Sequence, residues 1–210
     1  MSRLCELQCD EFLNKLASEA PTPGGGGAAG MAGALAAALS SMVANLTIGK
    51  KNFEAVEVEM QVFLAKATEL RAELLDLVEQ DAAVFGSFMA CYKMPKATEE
   101  EKQARQQAIR DAAKQAAAVP MNIARASAKV VGLADMLAQI GNPNVITDAT
   151  CSALLGRAAF RCAVYNVYIN LNLTKDEDFN TALKQEIAKL QQETEAGEAR
   201  VIELTDKALA

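Results

Sequence analysis

"PTPGGGGAAGMAGALAAALSSMVANLTIG", Pro21 to Gly49, decides how this chain folds. Four consecutive glycines follow Pro-Thr-Pro and run into an alanine-rich segment, with no charged residue between Ala20 and Gly49. Glycine is disfavoured in a helix by about 1 kcal/mol relative to alanine, so four of them at a helix mouth need a reason. The stretch is long enough to cross a membrane, and Gly26, Gly30, Ala34 and Ala38 form a row of small residues four apart. Three features argue against a membrane partner. Alanine is only weakly apolar, Ser40, Ser41, Asn45 and Thr47 fall in the second half, and no aromatic belt flanks the run. The pattern predicts a central Ala/Gly-rich helix buried on all sides of a helical bundle, its small side chains letting neighbouring backbones approach.

The rest of the chain agrees. The 210 residues are 51% hydrophobic but only 5% aromatic, with no Trp, which suits helices packed through small side chains in one domain, 1–210. A net charge of −6 argues against a nucleic-acid partner. The first residues, "MSRLCELQCDEFLNKL", lack the apolar core and cleavage site of a secretory signal, so the cytoplasm is the expected compartment. Asp10 reads as a cap for a first helix with Phe12, Leu13 and Leu16 on one face. A charged amphipathic helix follows from about Asn52 to Gln80, continuing or kinking into "DAAVFGSFMACY". Pro95 closes that segment, and Thr98 with Glu101 forms a capping box for the next helix. That helix is expected to reach about Val119, with Pro120 starting or kinking another that ends near Ile140. "GNPN" is a turn, and the long helix after it is broken by "TKDEDF". From about Asp176, Leu183, Ile187, Leu190, Thr194, Gly197, Val201, Leu204 and Ala208 mark a heptad-like seam. No segment reads as a strand. The fold expected is an all-α bundle of about seven or eight helices.

The chain has no histidine, so acid–base chemistry must use carboxylates, lysine, tyrosine or cysteine. Its five cysteines form no C-x-x-C pair, which leaves no metal site to propose and points to buried or half-buried free thiols. Gly25, Gly27 and Gly30 match G-x-G-x-x-G, but no strand precedes them and no acidic residue follows at the spacing of a dinucleotide site. A glycine run at a helix N-terminus still leaves N–H groups bare at the positive end of the helix dipole, suited to carbonyl or anionic groups of a ligand. Pro21 and Pro23 stiffen the approach. Other polar residues stand out: Asn45 and Thr47 with Lys50 after the apolar helix, Asp81 before "AAVF", Asn142, Asn144, Thr147 and Asp148 around the turn, and Asn166 and Asn170 four apart on one helix face. Each also has a structural reading: Asp148 as an N-cap, Asn142 as a turn residue, Lys50 as a charge complementing a helix C-terminus.

"PTPGGGGAAGMAGALAAALSSMVANLTIGKKNF", "DAAVFGSFMACYKMPK", "VPMNIA" and "GNPNVITDATCSALLGRAAFRCAVYNVYINLNLTKD" follow in an order that resembles the cyclodeaminase/cyclohydrolase family. The resemblance runs from about Leu7 to Lys207. It implies an all-helical homodimer binding a one-carbon tetrahydrofolate near the subunit interface, with no metal or redox cofactor. A separate formiminotransferase is an implied partner. It further implies one of two reactions. The first expected is cyclodeamination of 5-formimidoyltetrahydrofolate to 5,10-methenyltetrahydrofolate and ammonia; the alternative is cyclohydrolase interconversion of 5,10-methenyl- and 10-formyltetrahydrofolate. On this resemblance Asp148 is the leading acid–base residue, helped by Asp81, with Lys50 as acid or charge partner. Asn45, Asn142, Asn166 and Asn170 would orient the pterin, Gly24, Gly25, Gly26 and Gly27 would hold ligand against backbone N–H groups, and Pro23 and Thr147 complete the implied binding set. Folates carry glutamate tails, so Lys50, Lys51, Lys93, Lys96, Arg157 and Arg161 are the expected sources of attraction in an acidic protein. A reading of another class is a non-catalytic helical interaction protein, whose main feature would be the heptad-like last helix.

Overall fold

A helix hydrophobic on most of its circumference must be covered from several sides, and the computed structural model, which describes residues 3–210, shows how. After a 3-10 turn at Leu4–Glu6 come α1 (Cys9–Leu16), α2 (Gly25–Asn45), α3 (Glu57–Tyr92), α4 (Glu99–Ile140), α5 (Ile146–Thr174) and α6 (Glu177–Leu209). No strand occurs among the described residues. α2 packs against α3, α4 and α5, α3 packs on α4, and α6 lies along α4 and α5.

The close approach is set by glycine. A Cβ on Gly30 would lie 2.8 Å from Val78 Cγ2 and 3.3 Å from the Leu74 carbonyl, so α3 packs where only glycine fits. Ala36, Ala37 and Ala44 are fully buried. The serines of α2 are satisfied inside the protein. Ser40 Oγ lies 2.8 Å from Ser152 Oγ, which itself donates to the Ala36 carbonyl at 2.7 Å. Burying these hydroxyls unpaired would cost on the order of 1–3 kcal/mol each. α2 is not buried on all sides, however. Leu35 and Met42 are exposed, and the length and apolar composition of α2 would allow a membrane crossing.

Among the described residues there are six α-helices against the seven or eight expected, because the segment after Gln80 continues α3 and Pro120 starts no new helix. α3 runs unbroken from Glu57 to Tyr92, and α4 runs through Pro120 to Ile140. The capping box at Thr98 forms as its sequence predicts, with Glu101 N–H on Thr98 Oγ1 at 3.2 Å. Asp176 caps α6. Along α6, Leu183, Ile187, Thr194, Gly197 and Val201 are buried within this subunit. At Gly197, one of the two irregular positions of the seam, α4 comes close: a Cβ there would lie 3.2 Å from Val131 Cγ1. Ion pairs fasten the outside, Arg125 to Glu186 and Arg200 to Asp135. Three expectations fail locally. Gln8, not Asp10, occupies the N-cap of α1; Leu13 points outward; and Cys9, Cys151 and Cys162 are exposed, with only Cys5 and Cys91 half-buried.

Candidate active site

Gly24 is the N-cap of α2 and provides no side chain to cap it, so the first N–H groups of the helix lack intrahelical partners. α3 supplies the missing acceptor. The Gly27 N–H lies by the half-buried carboxylate of Asp81 and favours its charged form. The carboxylate fits there because residue 26 has no Cβ; one built at Gly26 would lie 2.6 Å from Asp81 Cγ. Burial pushes the Asp81 carboxyl above its ordinary value, and the Gly27 N–H pulls in the opposite direction. A carboxylate held at the positive end of a helix, with raised proton affinity, is equipped to accept and return a proton.

This carboxylate opens onto a cleft of about 250 Å3. Gly24, Gly25 and Gly26 form one wall. Asn166 and Asn170, one turn apart on α5, form another, and Phe85 and Phe88 of α3 close the third. Asn166 Nδ2 donates to the Cys162 carbonyl at 2.9 Å. Asn170 Nδ2 donates to the carbonyls of Ala116 and Asn166, at 3.0 and 2.8 Å. Residue 25 must also be small, since a Cβ there would sit 3.3 Å from Asn166 Nδ2. The sequence thus anticipated Gly24 to Gly26, Asp81, Asn166 and Asn170 at one place. Gly27 contributes its N–H, while Pro23 packs beneath Gly27, not on the cleft. Phe85 and Phe88 were missed. Their signal was two aromatics three apart, just beyond Asp81, in a chain with few aromatics.

The remaining expected residues lie at the other end of α2, about 30 Å away at 1.5 Å per residue. Asp148 is in the first turn of α5, about 27 Å along that helix from Asn166. It does not cap α5, whose N-cap is Val145. Asn45, Lys50 and Thr147 are exposed. Asn142 is held by structural bonds: Nδ2 donates to the Leu46 carbonyl at 2.9 Å, the backbone N–H donates to Thr47 Oγ1 at 3.0 Å, and Oδ1 accepts from the Asn144 N–H at 3.1 Å. Within one chain, therefore, Asp148 and Lys50 do not join Asp81. Helix length separates them.

Next to the cleft, meeting it at Leu173, runs a groove of about 720 Å3 lined by Lys96, Lys102, Arg105, Arg110 and Lys175. Lys102 pairs with Glu99, and Arg105 stacks on Tyr92 while donating to the Tyr92 carbonyl. Of the cations expected to attract an anionic tail, only Lys96 lies here. Arg157 is buried and paired with Glu195 and Glu198. A separate feature is a stripe of exposed apolar side chains shared by α2 (Leu35, Met42) and α5 (Leu154, Tyr165, Ile169).

Residues 8–189 match the family model described as formiminotransferase-cyclodeaminase. The chain is 43% identical over 194 residues to a methenyltetrahydrofolate cyclohydrolase of Methylorubrum extorquens, covering 92% of this chain and 93% of that protein. It is 33% identical to the formimidoyltransferase-cyclodeaminase of Gallus gallus, over 93% of this chain but 36% of that longer protein. A crystal structure of formiminotetrahydrofolate cyclodeaminase from Thermotoga maritima superposes with a TM-score of 0.88 at 34% identity, covering 98% of each chain.

Proposed function

The chain belongs to the formiminotransferase-cyclodeaminase family, enzymes of folate one-carbon units, and within it we propose that it is a methenyltetrahydrofolate cyclohydrolase. This reverses the order expected from sequence. The observation that carries it is the 43% identity, end to end, with a protein of that name. The cyclodeaminase stays as second reading on the strength of the Thermotoga maritima structure, which covers 98% of the chain with a TM-score of 0.88 but at 34% identity.

The cleft suits the hydrolytic reaction. The substrate carries a cationic N5–CH–N10 amidinium carbon. Asp81 takes one proton from the attacking water as the C–O bond forms, then returns it to N5 as the C–N5 bond breaks; the intermediate's hydroxyl proton is released to solvent as the C=O forms, leaving the formyl group on N10. A carboxylate beside a cationic carbon also favours its binding. Phe85 and Phe88 supply an apolar wall for the flat pterin, and Gly25 and Gly26 bring backbone N–H groups within reach of its carbonyl edge. The glutamate tail runs past Leu173 into the basic groove, where Lys96, Arg110 and Lys175 meet its carboxylates.

The protein acts as a homodimer in this reading. The exposed apolar stripe on α2 and α5 is the face that a second copy covers. A two-fold pairing across it is isologous, and with the axis running across the helices it sets each α2 antiparallel to its mate. The Gly24 end of one subunit then lies beside the Asn45 and Asp148 end of the other, which is how two polar groups about 30 Å apart in one chain serve one substrate. The deciding experiment follows the methenyltetrahydrofolate chromophore. Accelerated decay in water is the expected outcome; formation of the chromophore from 5-formimidoyltetrahydrofolate with release of ammonia establishes the cyclodeaminase instead.

A further inference from the structure

Pro120 lies inside α4, buried, where a proline ordinarily breaks a helix. It has no N–H to donate, so the carbonyl four residues earlier, that of Ala116, loses its helical partner. Asn170 of α5 fills that vacancy: its Nδ2 donates to the Ala116 carbonyl at 3.0 Å and to the Asn166 carbonyl at 2.8 Å. Both amide hydrogens of Asn170 are therefore engaged by carbonyl oxygens. The orientation of the amide follows, because a flipped side chain would set its own oxygen against both of them. Ala116, Pro120 and Asn170 all line the cleft, and Oδ1 is the one polar side-chain atom of Asn170 left to face it.

We propose that Pro120 is a positioning residue: by freeing the Ala116 carbonyl it fixes the Asn170 amide, so that position 170 presents a dedicated hydrogen-bond acceptor to an N–H of the ligand. With an N–H available at residue 120, the Ala116 carbonyl would close the ordinary helical bond, and the Asn170 amide, anchored then chiefly by the Asn166 carbonyl, would hold its orientation less firmly. The proline thus secures the polarity of the amide. Together with the Asp81 carboxylate it makes this side of the cleft accept hydrogen bonds, which suits a heterocycle edge rich in N–H and amino groups. The assignment rests on the cleft being the substrate site.

The test uses the full chain with Pro120→Ala, Asn170→Ala and the double variant. Three quantities are measured: the side-chain amide resonance of Asn170, the thermal midpoint, and KM and kcat for methenyltetrahydrofolate. Pro120→Ala is expected to move the Asn170 resonance without lowering the thermal midpoint, since alanine favours the helix. KM should rise roughly three- to ten-fold, the worth of one neutral hydrogen bond, with kcat changing at most about two-fold. In the Asn170→Ala background, Pro120→Ala should have no further effect on KM. An unmoved resonance, or an equal KM rise in both backgrounds, overturns the proposal. So does a lowered midpoint with a parallel loss of kcat. Turnover of neither folate by the natural protein would overturn the reaction instead, and the Asn170 resonance would still decide the link to Pro120.

Discussion

The two ends of α2 carry similar polar residues and use them differently. At the Gly24 end, Asp81, Asn166 and Asn170 come from two other helices, converge on a concave surface, and keep oxygens open to the cleft. At the Asn45 end, Asn142 and Thr47 are tied into a turn that seals the helix C-terminus, while Asn45, Lys50 and Thr147 face outward. The contrast teaches that a polar residue without an obvious structural partner in sequence becomes a candidate for chemistry only where packing both buries it and leaves it an open atom. Asp81 meets both conditions within one chain. Asp148 meets them only if a second copy covers it.

The largest effect expected tests that difference directly. Asp81→Asn should lower kcat by about 10²- to 10⁴-fold, the usual worth of a general base, in the chromophore assay. If the two ends meet across a two-fold interface, Asp148→Asn should also be poorly active, and refolding the two variants together should recover about a quarter of natural activity, because half the dimers carry one intact site. No recovery with full activity of Asp148→Asn would confine the chemistry to the Gly24 end.

Gly26→Ala should follow, with kcat lowered about a hundred-fold, because a Cβ that displaces the Asp81 carboxylate by about an ångström spoils its alignment. Asn45→Ala leaves the Asp81 carboxylate untouched and should lower turnover only if the two ends meet across the two-fold interface.

The pH dependence separates the ends in a third way. Burial raises the Asp81 pKa, so kcat/KM should rise with pH through a value above the ordinary carboxylate range. The stability consequence has the opposite sense. A carboxyl whose folded pKa is raised contributes stability below its unfolded pKa and loses it as pH rises through the folded value. Asp81→Asn should therefore raise the thermal midpoint at neutral pH, and the gain should vanish in acid. A gain that persists unchanged at low pH would place the effect elsewhere.

The smallest effect is structural. Asn142→Ala removes the donor to the Leu46 carbonyl and the acceptor for the Asn144 N–H, and should cost about 1–3 kcal/mol in a urea titration. A loss of turnover exceeding that of Asp81→Asn would show that the turn takes part in the chemistry.

Much of this molecule is legible in the linear chain because local rules suffice. The heptad-like seam of α6, the Thr98 capping box and the absence of strands follow from periodicity and caps, which act over one or two turns. The glycine run was legible as a bare helix N-terminus, and Asp81, Asn166 and Asn170 as polar residues out of place. Pro120 misled the reading of helix ends because its cost is offset by a side chain 50 residues later, a compensation no local rule detects. Asp148 and Lys50 do not join Asp81 within one chain for a related reason: sequence gives residue types, but rigid helices of 21 and 29 residues fix how far apart they stand in one subunit.

By itself, then, the sequence determined an all-helical bundle around a small-residue helix, and the residue types able to move a proton in a chain without histidine. Tertiary structure alone decided which of them share a cleft. It set Asp81 against the missing Cβ of Gly26, aimed the Asn170 amide with a proline from another helix, and left Asp148 at the far end. The physical reason is that caps and periodicity are short-range, whereas the position of a carboxylate relative to its ligand depends on where long, stiff helices cross.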